Sequence, residues 1–216
     1  MQRQMKRHCL KNGKPQGRLK RVRMRKKLAA GDLGLDVETL AETAGRMARA
    51  RAVLGQVARD AAFRVLEVDR GDVLLYGAGW RALHEETRWR ILAETLGRVG
   101  INPYRPRLKS LLRAEAELRS GRRATLHGCL ITPSGDTVRV SREPGALRDV
   151  TAMAPGLWDA RWRVDGPADA QAQIGALGEA GLSERPDWRD VGLPRESLLA
   201  SPALWKNDKL LAAPLI

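Results

Sequence analysis

The chain has 216 residues, 43% of them hydrophobic, and a formal net charge of +14. This length and apolar content are sufficient for one or two domains with a buried core, which excludes a wholly disordered protein. Its apolar runs are shorter than the roughly 18 residues of a membrane span, its basic N-terminus does not resemble a secretory signal, and Cys9 and Cys129 are too few for a disulfide framework. We therefore expect a cytoplasmic protein with two reduced thiols.

The positive charge is concentrated at the N-terminus. Residues 1–27 contain twelve Lys or Arg and no Asp or Glu, whereas the rest of the chain has 27 basic and 25 acidic residues. Such a dense basic block extends by self-repulsion and attracts polyanions through counterion release. We interpret residues 1–33 as a basic tail or linker that contacts RNA. A solvated tail without function is one alternative, and an organelle-targeting peptide is another, although the segment has no serine. The candidate RNA contacts in the tail are Arg18, Lys20, Arg21, Arg23, Arg25, Lys26 and Lys27.

Residues 34–123 have the pattern of a helical domain. Behind the candidate N-cap Asp36, apolar residues recur every three or four positions from Val37 to Ala61, which is the period of an amphipathic helix. Gly, Asn and Pro residues divide the rest of this region into shorter elements. The predicted elements are a helix over about 37–66, a strand over 72–76, a helix over about 80–98 and a helix over about 106–121.

Residues 124–216 are predicted to form a smaller mixed domain. Here apolar residues alternate with polar ones, which is typical of strands, and turn residues separate the runs. We therefore predict an α+β fold class, with a helical domain followed by this mixed domain. The predicted elements are strands over 125–131 and 137–141 around a hairpin loop at 132–136, a linker over 145–156, a strand over 157–164, a helix over 168–180 and a turn at Asn207-Asp208.

One segment has the spacing of a nucleotide-binding motif. Gly77–Ala82 fits G-x-G-x-x-G/A, follows a predicted strand and begins a helical run, as in dinucleotide-binding folds. The acidic residue expected about 20 positions later is absent from residues 98–106, so a nucleotide-binding oxidoreductase is only an alternative. Three histidines and two cysteines without metal-ligand spacing predict neither a catalytic nor a metal site.

Basic residues and a tyrosine flank the helix predicted over 106–121. Arginine can form bidentate contacts with phosphate, and an adjacent tyrosine can stack on an unpaired base. The alternative is that these side chains only solvate the helix ends. The six tryptophans, by contrast, are expected to fill core positions. The candidate RNA contacts here are Tyr104, Arg105, Arg107, Lys109, Arg122 and Arg123.

Several stretches resemble, in the same order, parts of the C-terminal portion of bacterial tRNA(Ile)-lysidine synthases. The resemblance covers about 18–216, whereas residues 1–17 match nothing in that family. The matching stretches are Arg21-Val22-Arg23-Met24-Arg25 before the helix at 40–54, Pro103-Tyr104-Arg105-Pro106-Arg107, Ala124-Thr125-Leu126-His127-Gly128-Cys129 followed by Arg142-Glu143-Pro144, residues 157–163 and residues 202–214.

The resemblance implies a role in tRNA modification. In that family an ATP-pyrophosphatase domain with a Ser-Gly-Gly-x-Asp-Ser phosphate loop adenylates the wobble cytidine of tRNA, lysine displaces AMP, and the C-terminal domains hold the tRNA. No Ser-Gly-Gly occurs in this sequence. We therefore expect tRNA as a partner and no cofactor in this chain, with ATP and magnesium used only by the missing catalytic domain. Two versions stay open: the chain works with a separate ATP-pyrophosphatase subunit, or it is a non-catalytic remnant of the ligase. A further alternative is a structural protein whose Ala-rich helix over 37–66 pairs with a partner helix, as in a homodimer.

Overall fold

A computed structural model describes residues 36–165 and 171–216. The chain divides into two compact units, residues 1–53 and 54–216. In the described residues helices combine with antiparallel sheets, so the predicted α+β class is confirmed. No helix among them has both the length and the apolar character needed to span a membrane.

The first element is a long helix, α1, over Val37–Val65, which confirms the helix predicted over 37–66. Asp36 caps its N-terminus, because the carboxylate accepts a hydrogen bond from the Thr39 amide at 2.5 Å. The periodic apolar positions of α1 enter a core only near its C-terminal end, in the unit 54–216. These buried positions are Ala58, Ala61 and Val65.

A five-stranded antiparallel sheet with the strand order β1-β2-β5-β4-β3 follows α1. Its strands are β1 Leu66–Asp69, β2 Asp72–Tyr76, β3 Ala124–Leu126, β4 Cys129–Ser134 and β5 Thr137–Arg142. The β3–β4 turn consists of His127 and Gly128, whose φ values of 63° and 72° are those of a type I′ hairpin turn. Arg70 and Gly71, between β1 and β2, also have positive φ values, of 47° and 89°.

Three helices, α2 Gly77–Ala82, α3 Glu85–Val99 and α4 Leu108–Arg119, connect β2 to β3. The single helix predicted over 80–98 is wrong at its start, because Leu83 and His84 are extended and separate α2 from α3. The His84 ring caps α3 by accepting a hydrogen bond from the Glu86 amide at 3.2 Å. Helix α4 lies within the predicted range 106–121. Apolar residues of α3 pack on the sheet and form its core: Ile91, Leu92, Leu96, Leu75, Ile131 and Val140.

The C-terminal half contains a four-stranded antiparallel sheet, of order β11-β10-β9-β6, and a separate β7–β8 hairpin. The strands are β6 Ala152–Met153, β7 Gly156–Trp158, β8 Trp162–Val164, β9 Gln173–Ala176, β10 Pro202–Lys206 and β11 Lys209–Ala212. Two short α-helices, α5 Gly178–Ser183 and α6 Arg195–Leu199, and the 3-10 helices Pro144–Leu147 and Trp188–Val191 complete this half. The turn predicted at Asn207-Asp208 is confirmed between β10 and β11.

Several predictions for residues 124–216 are wrong. The strand predicted over 125–131 is two strands, β3 and β4, because the His127–Gly128 turn reverses the chain between them. The hairpin loop predicted over 132–136 is shorter, because β4 extends to Ser134. The strand predicted over 157–164 is the β7–β8 hairpin, since Asp159 and Ala160 have φ values of 46° and 47° and reverse the chain. In the described part of the helix predicted over 168–180, Gln173–Ala176 is instead a strand, because it pairs with β10 and β6. The linker predicted over 145–156 contains most of a 3-10 helix and β6.

The predicted domain bounds of 1–33, 34–123 and 124–216 remain a prediction. The five-stranded sheet contains strands from both sides of residue 123, since β1 and β2 precede it and β3 to β5 follow it. These two groups of strands meet where β2 pairs with β5.

Candidate nucleic-acid interface

The loop between α3 and α4, residues 100–107, presents an aromatic ring and two guanidinium groups to solvent. The Tyr104 side chain is 79% exposed, and Arg105, Arg107 and Lys109 are exposed as well. Among the described residues, no carboxylate oxygen lies within 4.0 Å of these three cationic groups. Their charges are therefore free to attract an anionic partner, and the Tyr104 ring is open for stacking.

Backbone contacts hold this loop in place. The Asn102 amide donates to the Gly97 carbonyl at 3.0 Å, and the Asn102 side chain accepts from the Tyr104 amide at 3.0 Å. Gly100 lies against the β3–β4 turn, where a Cβ atom would be only 2.1 Å from the His127 carbonyl oxygen. The loop conformation thus depends on packing against this turn.

His127 adds a side-chain contact between the turn and the loop. Its Nε2 atom lies 2.6 Å from the carbonyl oxygen of Tyr104, so the ring donates a hydrogen bond to the backbone beside the exposed tyrosine. The imidazole is partly buried. These contacts support the interpretation of His127 as a structural residue.

The second basic pair, Arg122 and Arg123, lies beyond the C-terminal end of α4, where both side chains already contact carboxylates. Arg122 donates to Glu117 at 2.5 Å, and this hydrogen bond raises the pKa of the arginine and lowers that of the glutamate. Arg123 lies 3.7 Å from Glu196. All four groups are largely or partly exposed, so the pairs are weak and phosphate can compete for the arginines.

Helix α4 separates the two basic groups by about 18 Å, from its twelve residues at about 1.5 Å per residue. A partly buried carboxylate adds polar contacts between this helix and α3, beside the buried Leu111 and Ala114. Glu115, with a 12% exposed side chain, accepts hydrogen bonds from Arg88 at 2.9 Å and from the Trp89 indole at 2.7 Å. Arg119 donates to the same carboxylate at 3.0 Å. Burial opposes ionisation of Glu115, but these hydrogen bonds outweigh it and lower the pKa of the carboxyl group.

None of the six tryptophans is exposed, in agreement with the prediction that they fill core positions. Trp80 and Trp158 are buried, and the other four are partly buried. Tyr104 is therefore the aromatic side chain of the candidate interface that is most accessible to a base.

The basic tail lies outside the described residues. Its candidate contacts, Arg18, Lys20, Arg21, Arg23, Arg25, Lys26 and Lys27, therefore stay a prediction. The described candidates at the two ends of α4 likewise stay predictions as RNA contacts. The structure shows that these side chains are exposed. It also shows that Arg105, Arg107 and Lys109 have no carboxylate partner among the described residues.

The Gly77–Ala82 turn lacks the surroundings of a dinucleotide-binding motif. Strand β2 pairs antiparallel with both β1 and β5, and all strand pairs in the described residues are antiparallel, whereas that motif belongs to a parallel βαβ unit. The space at Gly77 is filled by the β4–β5 turn, since a Cβ atom there would lie 1.8 Å from the Asp136 carbonyl oxygen. Arg81 of α2 also forms an ion pair with the Asp136 carboxylate.

The described residues contain no cluster of three His, Cys, Asp or Glu side chains that could hold a metal ion. Cys129 is buried, and desolvation raises the pKa of its thiol to about 12, so it is a protonated core residue at neutral pH. Cys9 lies outside the described residues.

Comparison with known proteins gives one informative match. No family model matches the chain. The chain is 40% identical over 199 residues to the tRNA(Ile)-lysidine synthase of Ruegeria pomeroyi. The predicted resemblance to tRNA(Ile)-lysidine synthases is confirmed. The match covers 92% of this chain but only 48% of the relative, so the chain spans about half the length of that tRNA(Ile)-lysidine synthase, which is consistent with its C-terminal portion.

Proposed function

We propose that this chain binds tRNA and acts as the tRNA-holding portion of a system that modifies the wobble cytidine. The similarity to a tRNA(Ile)-lysidine synthase over 92% of the chain supports the tRNA as partner. We infer the contact surface from the exposed Tyr104 and its neighbours Arg105, Arg107 and Lys109. The charges of these three basic residues have no carboxylate partner among the described residues.

The charge of this surface favours a polyanion. Residues 104–123 contain seven basic and two acidic side chains, and both acidic ones, Glu115 and Glu117, are already bonded to arginines. Each phosphate that is neutralised releases counterions, which favours association at low salt. We propose that Arg105 and Arg107 contact phosphates, that Tyr104 stacks on an unpaired base, and that Arg122 and Arg123 contact the backbone farther along the RNA.

We further propose that these 216 residues do not form lysidine alone. Adenylation requires donors that stabilise the charge on the ATP phosphates, and the family resemblance implies a Ser-Gly-Gly-x-Asp-Ser loop for that purpose, which this sequence does not contain. ATP and magnesium would then be bound by an ATP-pyrophosphatase domain that these 216 residues do not include. Release of AMP by the purified chain, dependent on both tRNA and lysine, would overturn this proposal.

A salt titration of tRNA binding tests the contact surface. The variant Arg105→Ala/Arg107→Ala is expected to weaken binding about tenfold at low salt and to reduce the slope of log K against log salt by about 1.4 to 1.8. The control Arg148→Ala/Arg163→Ala removes the same charge from exposed positions elsewhere in the unit and is expected to change binding little. If Arg105→Ala/Arg107→Ala binds tRNA like the native chain, the proposed surface is wrong.

A second candidate function, helix pairing, is favoured by the part of α1 in the first unit. Val37, Leu40 and Met47 are 75%, 46% and 65% exposed and recur at spacings of three and seven residues, as in a coiled-coil seam. We propose that this seam pairs two copies of the chain. Light scattering on the intact chain should then give a dimer mass, and Met47→Glu should give a monomer. A native chain that is monomeric at high micromolar concentration would exclude this pairing.

A further inference from the structure

A buried carboxylate in the β7–β8 hairpin joins three separate segments of the unit 54–216. Asp159, whose side chain is 5% exposed, lies 3.0 and 3.1 Å from two nitrogens of Arg142 and 4.0 Å from Arg161. The two guanidinium groups are only 10% and 13% exposed. Two buried cations therefore share this carboxylate for charge compensation, and Asp72 adds a further electrostatic interaction with Arg161.

Arg142 connects Asp159 to the β3–β4 turn. It uses Nε and Nη2 for the bidentate contact with Asp159 and donates through Nη1 to the Gly128 carbonyl at 2.8 Å. Gly128 has a φ of 72°, and a Cβ atom at this position would lie 2.5 Å from the Arg142 Nη1 atom. The turn and the guanidinium group are thus fitted to each other, and the adjacent His127 contacts the Tyr104 carbonyl.

Arg161 connects the same carboxylate to the end of α3. It donates through Nη1 to the Val99 carbonyl at 3.4 Å and through Nη2 to the Gly71 carbonyl in the β1–β2 turn. Val99 is the last residue of α3, so this contact fixes the point at which the loop 100–107 begins. Burial lowers the pKa of Arg161, and Asp159 opposes that shift because its charge stabilises the cation.

From these contacts we propose that Asp159 is a positioning residue for the loop 100–107, which carries the Tyr104, Arg105 and Arg107 side chains. The effect of Asp159 on tRNA binding rests on the proposed function, whereas its effect on the loop conformation does not. Asp159 holds one end of the loop through Arg161 and Val99, and it holds the middle through Arg142, Gly128 and His127. The hairpin that follows the five-stranded sheet in sequence thereby determines the shape of a surface formed between α3 and α4.

Hydrogen exchange tests the structural part without RNA. In Asp159→Asn, the amides of Gly100, Asn102 and Tyr104 should exchange several-fold faster, because the hydrogen bonds that protect them depend on the loop conformation. Asp69→Asn is the control, since the 19% exposed Asp69 pairs with Arg70 and Arg139 at 2.8 Å on the five-stranded sheet rather than beside the loop. Unchanged exchange of the loop in folded Asp159→Asn overturns the proposal.

A second variant covers the case in which Asp159→Asn does not fold. Arg142→Lys keeps the charge beside Asp159 but removes the forked contact that reaches both Asp159 and the Gly128 carbonyl. It should accelerate exchange in the His127–Gly128 turn and in the loop, and leave the β10–β11 hairpin unchanged. Equal exchange in native and Arg142→Lys chains at all of these sites also overturns the proposal.

A double-mutant cycle tests the consequence for tRNA binding. Asp159→Asn should weaken binding about fivefold. Its combination with Arg105→Ala/Arg107→Ala should weaken binding by less than the product of the separate effects, because both act through one loop. When Asp159→Asn is combined with Arg122→Ala/Arg123→Ala, by contrast, the losses of tRNA affinity of the two variants should multiply. Multiplication in both cycles refutes a positioning role. If Arg105→Ala/Arg107→Ala alone binds tRNA normally, the proposed function fails, while the exchange result still decides the structural part.

Discussion

Replacement of Glu115 by glutamine should weaken the attachment of α4 to α3. The carboxylate accepts hydrogen bonds from Arg88, Trp89 and Arg119, whereas an amide presents its own donors to one side of this cluster. Arg88 is 15% exposed, so a charge-assisted bond worth about 1.5 to 3 kcal/mol is lost there. The Trp89 bond adds about 1 kcal/mol, and the 66% exposed Arg119 adds little.

The expected loss of stability is therefore about 3 kcal/mol. Urea unfolding followed by tryptophan fluorescence measures it, and with a slope of about 2 kcal/mol per molar the midpoint should fall by about 1.5 M. Glu94→Gln is the control, because the Glu94–Arg98 pair has the same i,i+4 spacing as Glu115–Arg119, but its side chains are 65% and 78% exposed. This substitution should lower the free energy of unfolding by less than about 0.5 kcal/mol. A loss for Glu115→Gln no larger than that of the control would refute this account of α4.

The same carboxylate gives a pH dependence with a defined sign. The folded state lowers the pKa of Glu115 below its ordinary value of 4.5, so its contribution to stability is present above that value. It is lost as the pH falls through the lowered folded pKa, because the folded state must then take up a proton. The stability difference between the native chain and Glu115→Gln should be constant from pH 7 to about pH 5 and then shrink on further acidification. A difference that grows below about pH 4.5 would contradict the assigned direction.

Three more outcomes follow from the structure. Tyr104→Ala should weaken binding of RNA with unpaired bases at least about fivefold, Tyr104→Trp should retain it, and a fully paired duplex should not distinguish the variants. Gly77→Ala should destabilise the chain by about 2 kcal/mol or more in urea unfolding, because its Cβ atom would collide with the Asp136 carbonyl. Gly55→Ala, within α1 where a Cβ atom fits, should stabilise the chain by about 0.5 kcal/mol. Removal of residues 1–27 should lower the salt dependence of tRNA binding, measured by fluorescence anisotropy, and leave the stability of residues 54–216 unchanged.

The elements that periodicity predicts well are those whose local pattern agrees with their packing. Helix α1 follows its three- and four-residue apolar spacing almost to the residue, and the loop with Tyr104, Arg105 and Arg107 is exposed at the start of α4 as its composition suggests. Local signals suffice for α1 because its backbone hydrogen bonds lie within the helix. They also predict that the loop is exposed, although its conformation depends on the distant His127–Gly128 turn.

The errors occur where distant contacts override local preference. Asp159 is tolerated at a positive φ but Ala160 is not a typical residue there, so the turn signal in 157–164 is weak. Burial of Asp159 against Arg142 stabilises the hairpin. Gln173–Ala176 is a strand only because β10 and β6 lie on either side of it. The pairing of Arg123 with Glu196 likewise joins residues far apart in sequence, which no local pattern reveals.

Photo-crosslinking of tRNA carrying 4-thiouridine to the intact chain, with mass spectrometry of the attached peptides, tests the proposed tRNA contact most directly. Peptides that contain Tyr104 should be labelled, labelling should fall in the Arg105→Ala/Arg107→Ala variant, and unlabelled tRNA should compete. Crosslinks confined to residues 171–216, with the loop 100–107 unlabelled at saturating tRNA, would contradict the proposed interface.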